Sequence, residues 1–412
     1  MMKWLKLAVR NIFRNKRRSF VTLMAIGVGF ASISLFQGYI DHVYYGLRVI
    51  AIHGEGLGHL RVNKVGWQEK GKLEPEKYMF SKEETQKIIK LVTEENTVIL
   101  ATPQIQVTGI VTNGIASTIF IAQGVVPKDD KTIKGTWASF LPIKGQTLND
   151  EKLYGIEIAE DLSNYLSLTQ DKEGVVMATT LSGQMNALDV KINGVYNTGS
   201  EFSNDKFMRF NFYFAQSLLD TQSAERIVIL LKDWEDTERM RTVLLAKLKA
   251  GGIDCEIRTW EDLSLFFSKE KAFLRVMFTF LFSIVLVIVV MTTVNTMGMA
   301  ILERTREIGT LRALGLKRRG VSLLFALEGA LLGFFGSVMG LILHTCVWTI
   351  MRIYPPKYTP PGIAMPIDLV VHMVPWMLFI LLFCFVLFSM FAALIPARRA
   401  AKQNIVDSLG HV

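Results

Sequence analysis

The sequence predicts an α-helical membrane protein with four transmembrane helices and an α+β extracytoplasmic domain inserted between the first and second. Three observations lead there. The 412 residues are 50% hydrophobic and 20% charged, with a mean hydropathy of +0.31, which excludes a disordered chain. The apolar residues gather in four blocks, 20–40, 272–302, 321–351 and 369–397, each long enough for the ~20-residue helix that crosses a bilayer's ~30 Å hydrocarbon core. The net charge of +9 is unevenly spread, with basic residues flanking the blocks and a slightly acidic long segment between the first two.

Residues 1–19 carry Lys3, Lys6, Arg10, Arg14, Lys16, Arg17 and Arg18 and no acidic residue. Trp4, Ala8 and Ile12, with Leu5, Val9 and Phe13, fall at helical spacing. A cytoplasmic amphipathic helix lying in the membrane–water interface is expected. Its position against a span makes anionic lipid headgroups, not nucleic acid, the partner of its charge. A cleaved signal peptide is disfavoured, because the apolar block exceeds the ~7–15 residues of such a core and no clean small-residue site follows it.

The segment 303–320 holds six basic residues against Glu303 and Glu307, and the tail 398–412 holds Arg398, Arg399 and Lys402 against Asp407. Residues 41–271 hold 27 Lys and Arg and 32 Asp and Glu, a net of 27 − 32 = −5. Basic excess beside span ends marks the cytoplasmic side. Both termini and the 303–320 segment are therefore expected in the cytoplasm. Residues 41–271 and the loop 352–368 are expected outside. Cys346 and Cys384 fall in spans and Cys255 is alone in 41–271, so that domain closes no disulfide within itself and relies on its core.

Within 41–271, strand-like runs occupy 57–65, 104–112, 115–126, 174–180, 187–196, 209–214 and 226–231. Asn113-Gly114 suggests a type I′ hairpin. Ser81 and Glu84 form a capping box for a helix reaching about Val92. Helices are expected over 156–166 and 236–250, the second stopped by Gly251-Gly252 and followed by a strand at 255–258 in a βαβ-type arrangement. Helical pattern over 41–50 and 262–272 suggests that spans one and two continue as a paired stalk.

The third span carries Gly329, Gly333, Gly336 and Gly340, at spacings of four, three and four on one face. Small residues so placed let a neighbouring helix approach to backbone contact. That neighbour can belong to the same chain or to a second protomer. Glu328 is the one acidic residue in this span, and an intramembrane ionisable group needs a partner. A basic residue of the adjacent loop is expected to supply it. Arg275 and His344 are expected at span edges.

The segment 303–320 is short, helical in pattern and mixed in chemistry. Glu303, Arg304, Arg306, Glu307 and Arg312 alternate with Ile308, Leu311 and Leu314. A passive loop needs only positive charge, whereas this composition suits a helix docking into a groove of a soluble partner.

The run ERTREIGTLRALG at 303–315, followed by the glycine-rich span, resembles the equivalent segment in ABC transporter permeases of the MacB/LolC/LolE/FtsX type. The runs LAVRNIFRNKRRS at 7–19 and PARRAAKQNIVDSL at 396–409 are similar to that family's ends, and Glu328 fits its pattern. The resemblance covers both membrane portions and is weak through the 231 residues of 41–271. It implies a permease that pairs with a second copy or a paralogue and engages a cytoplasmic ABC ATPase dimer, with 303–320 as coupling helix. ATP and Mg would reside in that ATPase, and substrate would be handled on the outer side by mechanotransmission. The proline-rich 354–362 connector favours the lipoprotein-releasing branch, with a lipoprotein or periplasmic carrier as partner. Export of the MacB kind is the alternative, and an FtsX-like regulator of cell-wall hydrolases is a reading of a different class.

No G-x-x-x-x-G-K-[ST] phosphate cradle occurs, nor H-E-x-x-H, nor G-x-S-x-G. Leu181-Ser182-Gly183-Gln184 only partly matches the ABC ATPase signature and lies in the external region. His53 and His59 near Glu55 lack the further ligands of a metal site. The sequence therefore carries no catalytic or metal constellation and no sign of a bound cofactor.

Overall fold

The computed structural model describes residues 8, 10–11, 16–71, 73–135, 142–199, 203–359 and 366–402. Most of the amphipathic segment 1–19, residues 360–362 of the proline-rich connector and 403–409 of the C-terminal run lie outside the described residues. The chain divides into a membrane unit, residues 1–44, 270–357 and 368–412, and a second unit, residues 45–269 with 358–367.

Among the described residues, four helices are long and apolar enough to cross a membrane: Arg17–Gly54, Leu265–Glu303, Arg318–Ile353 and Pro375–Ala401. The first ends in a π-helical turn, Ile50–Gly54. In the membrane unit the third and fourth helices pack along each other. The buried cluster around Ile26, Phe30, Phe325, Leu332 and Phe385 joins them to the first helix, and Val289, Met297 and Ile301 bring in the second. Thr22 and Thr296 share a 2.6 Å hydroxyl hydrogen bond between the first two helices. The Tyr44 hydroxyl donates to the Lys271 carbonyl at 3.2 Å, a second tie between them where their helical runs continue past 40 and before 272.

The four glycines lie inside this bundle. A Cβ on Gly329 would collide with Ala393 and the Ser389 carbonyl, and one on Gly333 would stand 2.9 Å from Ser389 and Val386, both on the fourth helix. Gly336 meets Ile26, and Gly340 meets Gly27 and Phe30, on the first. All four are buried. Their close approaches are within the chain, which takes them out of the role of a protomer interface.

The second unit is α+β. Its strands are β1 (Leu60–Lys64), β2 (Val98–Thr112), β3 (Ser117–Val125), β4 (Pro142–Gly145), β5 (Gly155–Ala159), β6 (Glu173–Thr179), β7 (Met185–Tyr196), β8 (Phe207–Asn211), β9 (Arg226–Leu231) and β10 (Cys255–Thr259). They form one sheet in the order β10-β1-β9-β2-β3-β8-β5-β7-β4, with β6 bonded to β2 and β7. β9, the helix Thr237–Ala250 and β10 make a split βαβ, in which β1 lies antiparallel between β9 and β10. Leu60, Ile229, Leu244 and Ile88 fill the core beneath it. The capping box is present, with the Glu84 N–H donating to Ser81 Oγ and the Ser81 N–H to Glu84.

Three local expectations are corrected. Residues 156–166 are not one helix. Gly155–Ala159 is a strand with every residue buried, and the helix begins at Glu160. A strand covered on both faces loses polar alternation and mimics a buried helix. The strand expected over 209–214 stops at Asn211, whose side chain accepts from the Tyr213 N–H and caps the helix Phe212–Leu219. The turn after β2 is a four-residue loop instead of type I′, because Asn113 Oδ1 accepts from both the Ile115 and Ala116 N–H groups and of the loop residues Gly114 alone has positive φ.

Deep in this unit, Arg209 on β8 is paired with Asp130 and, at 2.6 Å, with Glu157 on β5, while Lys134 reaches Asp130 at 3.1 Å. Burial raises the Glu157 carboxyl above its usual range, opposed by Lys134 and by the Leu148 N–H it accepts. Buried charge persists only when paired and hydrogen-bonded. This network meets that condition and fixes the helix Pro127–Lys134 against two strands.

Candidate functional site

The segment after the second long helix forms a short helix, Thr305–Ala313, ending at Gly315 with φ +99. A left-handed residue there closes the helix at small cost only for glycine. The chain then turns into the third long helix at Arg318.

This helix has two sides of different character. Arg304 and Ile308 are buried, at 4% and 7% exposure. Arg306, Glu307, Leu311 and Leu314 are exposed, Leu314 by 81%, and Arg312 is half-exposed. Glu303 is exposed and pairs with Arg18 of the first helix at 2.8 Å. Of the eight residues assigned to the docking surface, Arg304 and Ile308 are therefore corrected. They face their own unit and hold the helix in place.

The anchor is explicit. The Arg304 Nη1 donates to Glu328 Oε1 at 3.2 Å, and its Nη2 donates to the Asn11 carbonyl at 3.2 Å. Asn11 Nδ2 donates to the same Glu328 oxygen at 2.6 Å. Three parts of the chain thus meet at one carboxylate: the N-terminal segment, the start of the short helix and the third span. A buried carboxylate that accepts from two donors, one of them a guanidinium, orients what it binds. The sequence signal for Glu328 was its isolation in an apolar span. For Asn11 there was none, since asparagine is ordinary in an interfacial helix.

A second polar contact sits within the spans. His344 is 1% exposed, and its Nδ1 lies 2.9 Å from Ser34 Oγ on the first helix. It is packed inside the bundle. No group of three or more His, Cys, Asp or Glu residues that could hold a metal occurs among the described residues.

Comparison with known proteins falls on the same segment. Residues 279–405 match the family model described as FtsX-like permease C-terminal. An uncharacterized ABC transporter permease of Methanocaldococcus jannaschii is 29% identical over 187 residues, 44% of this chain and 45% of that protein. The Yersinia pestis macrolide export ATP-binding/permease protein MacB 1 is 26% identical over 254 residues, 60% of this chain and 37% of its own. The lipoprotein-releasing system transmembrane protein LolC of Haemophilus influenzae is 29% identical over 129 residues, 31% of this chain and 32% of that protein. The chain spans less than half the length of each of these relatives. Residues 279–405, which hold the short helix, its Glu328 anchor and the glycine-lined span, match an FtsX-like permease domain, and the relatives similar to this chain are ABC transporter permeases and proteins of the MacB and LolC kind.

Proposed function

We propose that this chain is the permease of an ABC transporter in which a separate cytoplasmic ATPase dimer grips the Thr305–Ala313 helix. The observation that carries the reading is the split of that helix into a buried, ion-paired side and an exposed side bearing Arg306, Glu307, Leu311 and Leu314. A rigidly seated helix with a mixed apolar and ionic outer face transmits force without melting. ATP and Mg belong to the ATPase, whose closure displaces the short helix. Through Arg304 and Glu328 that displacement reaches the third span, and through Asn11 the segment before the first.

The basic excess at 1–19, 303–320 and 398–412 supports a cytoplasmic position for both termini and the short helix, with residues 45–269 on the outer side. There the chain, with a second copy or a paralogue, would move a lipoprotein or another amphiphile by mechanotransmission, with a periplasmic carrier as acceptor. Export of the MacB kind is the second reading, favoured by the longer match to that relative, 254 residues against 129.

The test is co-purification of the tagged chain from its native membrane. An ABC ATPase that accompanies the wild type and is lost from Glu307→Lys supports the reading, and undiminished capture by that variant would overturn it. A co-purifying lipoprotein favours the first branch, and an outer-membrane channel or adaptor the second.

A further inference from the structure

At the end of the membrane unit remote from the Thr305–Ala313 helix lies a half-open cavity of about 440 Å³. Its walls include Asp41, Trp348, Met351, Arg352, His372 and Met373. The coupling scheme makes no use of it.

The cavity wall is built, not incidental. The non-helical stretch before the fourth span is laid against the first helix at Gly38, whose carbonyl accepts the His372 N–H at 3.0 Å. A Cβ on Gly38 would strike the His372 carbonyl, so the approach requires glycine there. The His372 ring donates from Nδ1 to Asp41 Oδ2 at 2.8 Å, and its Nε2 lies 3.1 Å from His42 Nδ1. Trp348 Nε1 donates to the Val371 carbonyl at 3.0 Å, and the Arg352 guanidinium stands 5.2 Å from the Trp348 ring centre.

Two charges in this wall keep unused capacity. Arg352 has no carboxylate within ion-pair distance among the described residues, and its one described contact is the indole face. Asp41 gives one oxygen to His372 and keeps the other. The cavity therefore offers a guanidinium and a carboxylate in one lining with Trp348, Met351 and Met373. Beside it, Ile350, Ile353, Trp376 and Phe379 are exposed on the third and fourth helices. Guanidinium pairs with phosphate through parallel N–H donors, ammonium pairs with carboxylate, and an indole at the membrane interface suits a ligand half apolar and half polar.

We propose that this cavity binds the zwitterionic phosphoammonium headgroup of a membrane phospholipid, with Arg352 on the phosphate, Asp41 on the ammonium and the acyl chains along the exposed apolar faces of the third and fourth helices. The site stands whatever substrate the transporter moves. An anionic lipid would satisfy Arg352 and meet repulsion from Asp41, so the cavity discriminates between headgroups of equal size.

Native mass spectrometry of the full chain, released from nanodiscs of equimolar phosphatidylethanolamine and phosphatidylglycerol, tests this. The wild type retains one phosphatidylethanolamine per chain in clear preference to phosphatidylglycerol. Arg352→Ala lowers that occupancy at least tenfold, and Arg352→Lys recovers most of it, which separates lost binding from lost folding. Asp41→Asn keeps a lipid but no longer prefers the ethanolamine headgroup. Wild-type occupancy in Arg352→Ala, or equal retention of both lipids by the wild type, would overturn the proposal. Displacement of the lipid by soluble glycerophosphoethanolamine at matching concentration would assign the cavity to a water-soluble phosphoester and likewise reject a lipid site.

Discussion

Arg304 and Glu328 meet at 3.2 Å between the start of the short helix and the third span, with side chains only 5% and 3% exposed. The pair is closed to solvent on both sides, and Asn11 completes it. Neither partner can exchange the other for water where it stands. Breaking it leaves a buried charge without a counter-charge.

Single replacements at this pair are therefore expected to be severe. Glu328→Ala or Arg304→Met should each destabilise the membrane unit by roughly 3–5 kcal/mol, the usual penalty for orphaning one member of a buried ion pair. The double variant Arg304→Met with Glu328→Leu removes both charges and should recover most of that loss. Thermal unfolding in detergent, arranged as a double-mutant cycle, measures the coupling. Additive losses would show that the two side chains do not act as a unit.

The exposed side should behave in the opposite way. Arg306→Glu, Glu307→Lys or Leu311→Asp alters groups that face solvent. Stability, read from thermal unfolding, is expected to stay within the small range typical of surface changes, about 0.5 kcal/mol. ATPase capture should fall at least tenfold, about 1.4 kcal/mol of binding free energy. A variant that loses stability and binding together would place its residue with the anchor.

The glycine face gives a size-dependent prediction. Gly333→Leu should push the fourth helix away at Val386 and Ser389, and Gly336→Leu should strike Ile26. Overpacking of this sort costs ~1–3 kcal/mol or more. Gly298 on the second helix has open space where a Cβ would go, so Gly298→Ala should be neutral or stabilising by up to ~1 kcal/mol through helix propensity. Unfolding temperatures of the three variants in one detergent rank these effects. A destabilised Gly298→Ala alongside a tolerated Gly333→Leu would contradict the described packing.

How much of this was legible in the sequence follows from what each signal depends on. Span existence and charge asymmetry depend on composition over many residues, so one reading recovers four long helices and the basic 303–320 segment. Ser81 and Glu84 announce a cap because the contact is local. The strand at Gly155–Ala159 was hidden because burial on both faces erases its period, and Phe212–Leu219 because Asn211 resembles any other strand residue until its side chain turns back. At the candidate site, the helix was visible and its orientation was not. Arg304 and Arg306 differ in the sequence only by two positions, and the partner that separates them, Glu328, lies 24 residues on. Long-range pairing of this kind leaves no trace in periodicity.

His59 supplies a pH prediction for the second unit. Its ring is 5% exposed, and its Nδ1 accepts the Leu231 N–H at 3.1 Å. Burial, with His53 and Arg48 adding like charge, lowers its pKa from 6.5 to about 4. An unfolded chain takes up the proton near 6.5 while the folded one refuses it. Stability therefore falls as pH drops from about 6.5 to about 4 and levels off below that. The gap corresponds to at most roughly 3 kcal/mol. In His59→Gln the side-chain oxygen can accept the same N–H but takes no proton. Hydrogen exchange of the β1 and β9 amides, compared between wild type and variant at each pH, isolates this group from others that titrate in both. The wild type should lose protection relative to the variant between pH 6.5 and 4, and a constant ratio across that range would mean that His59 is not held neutral by the fold.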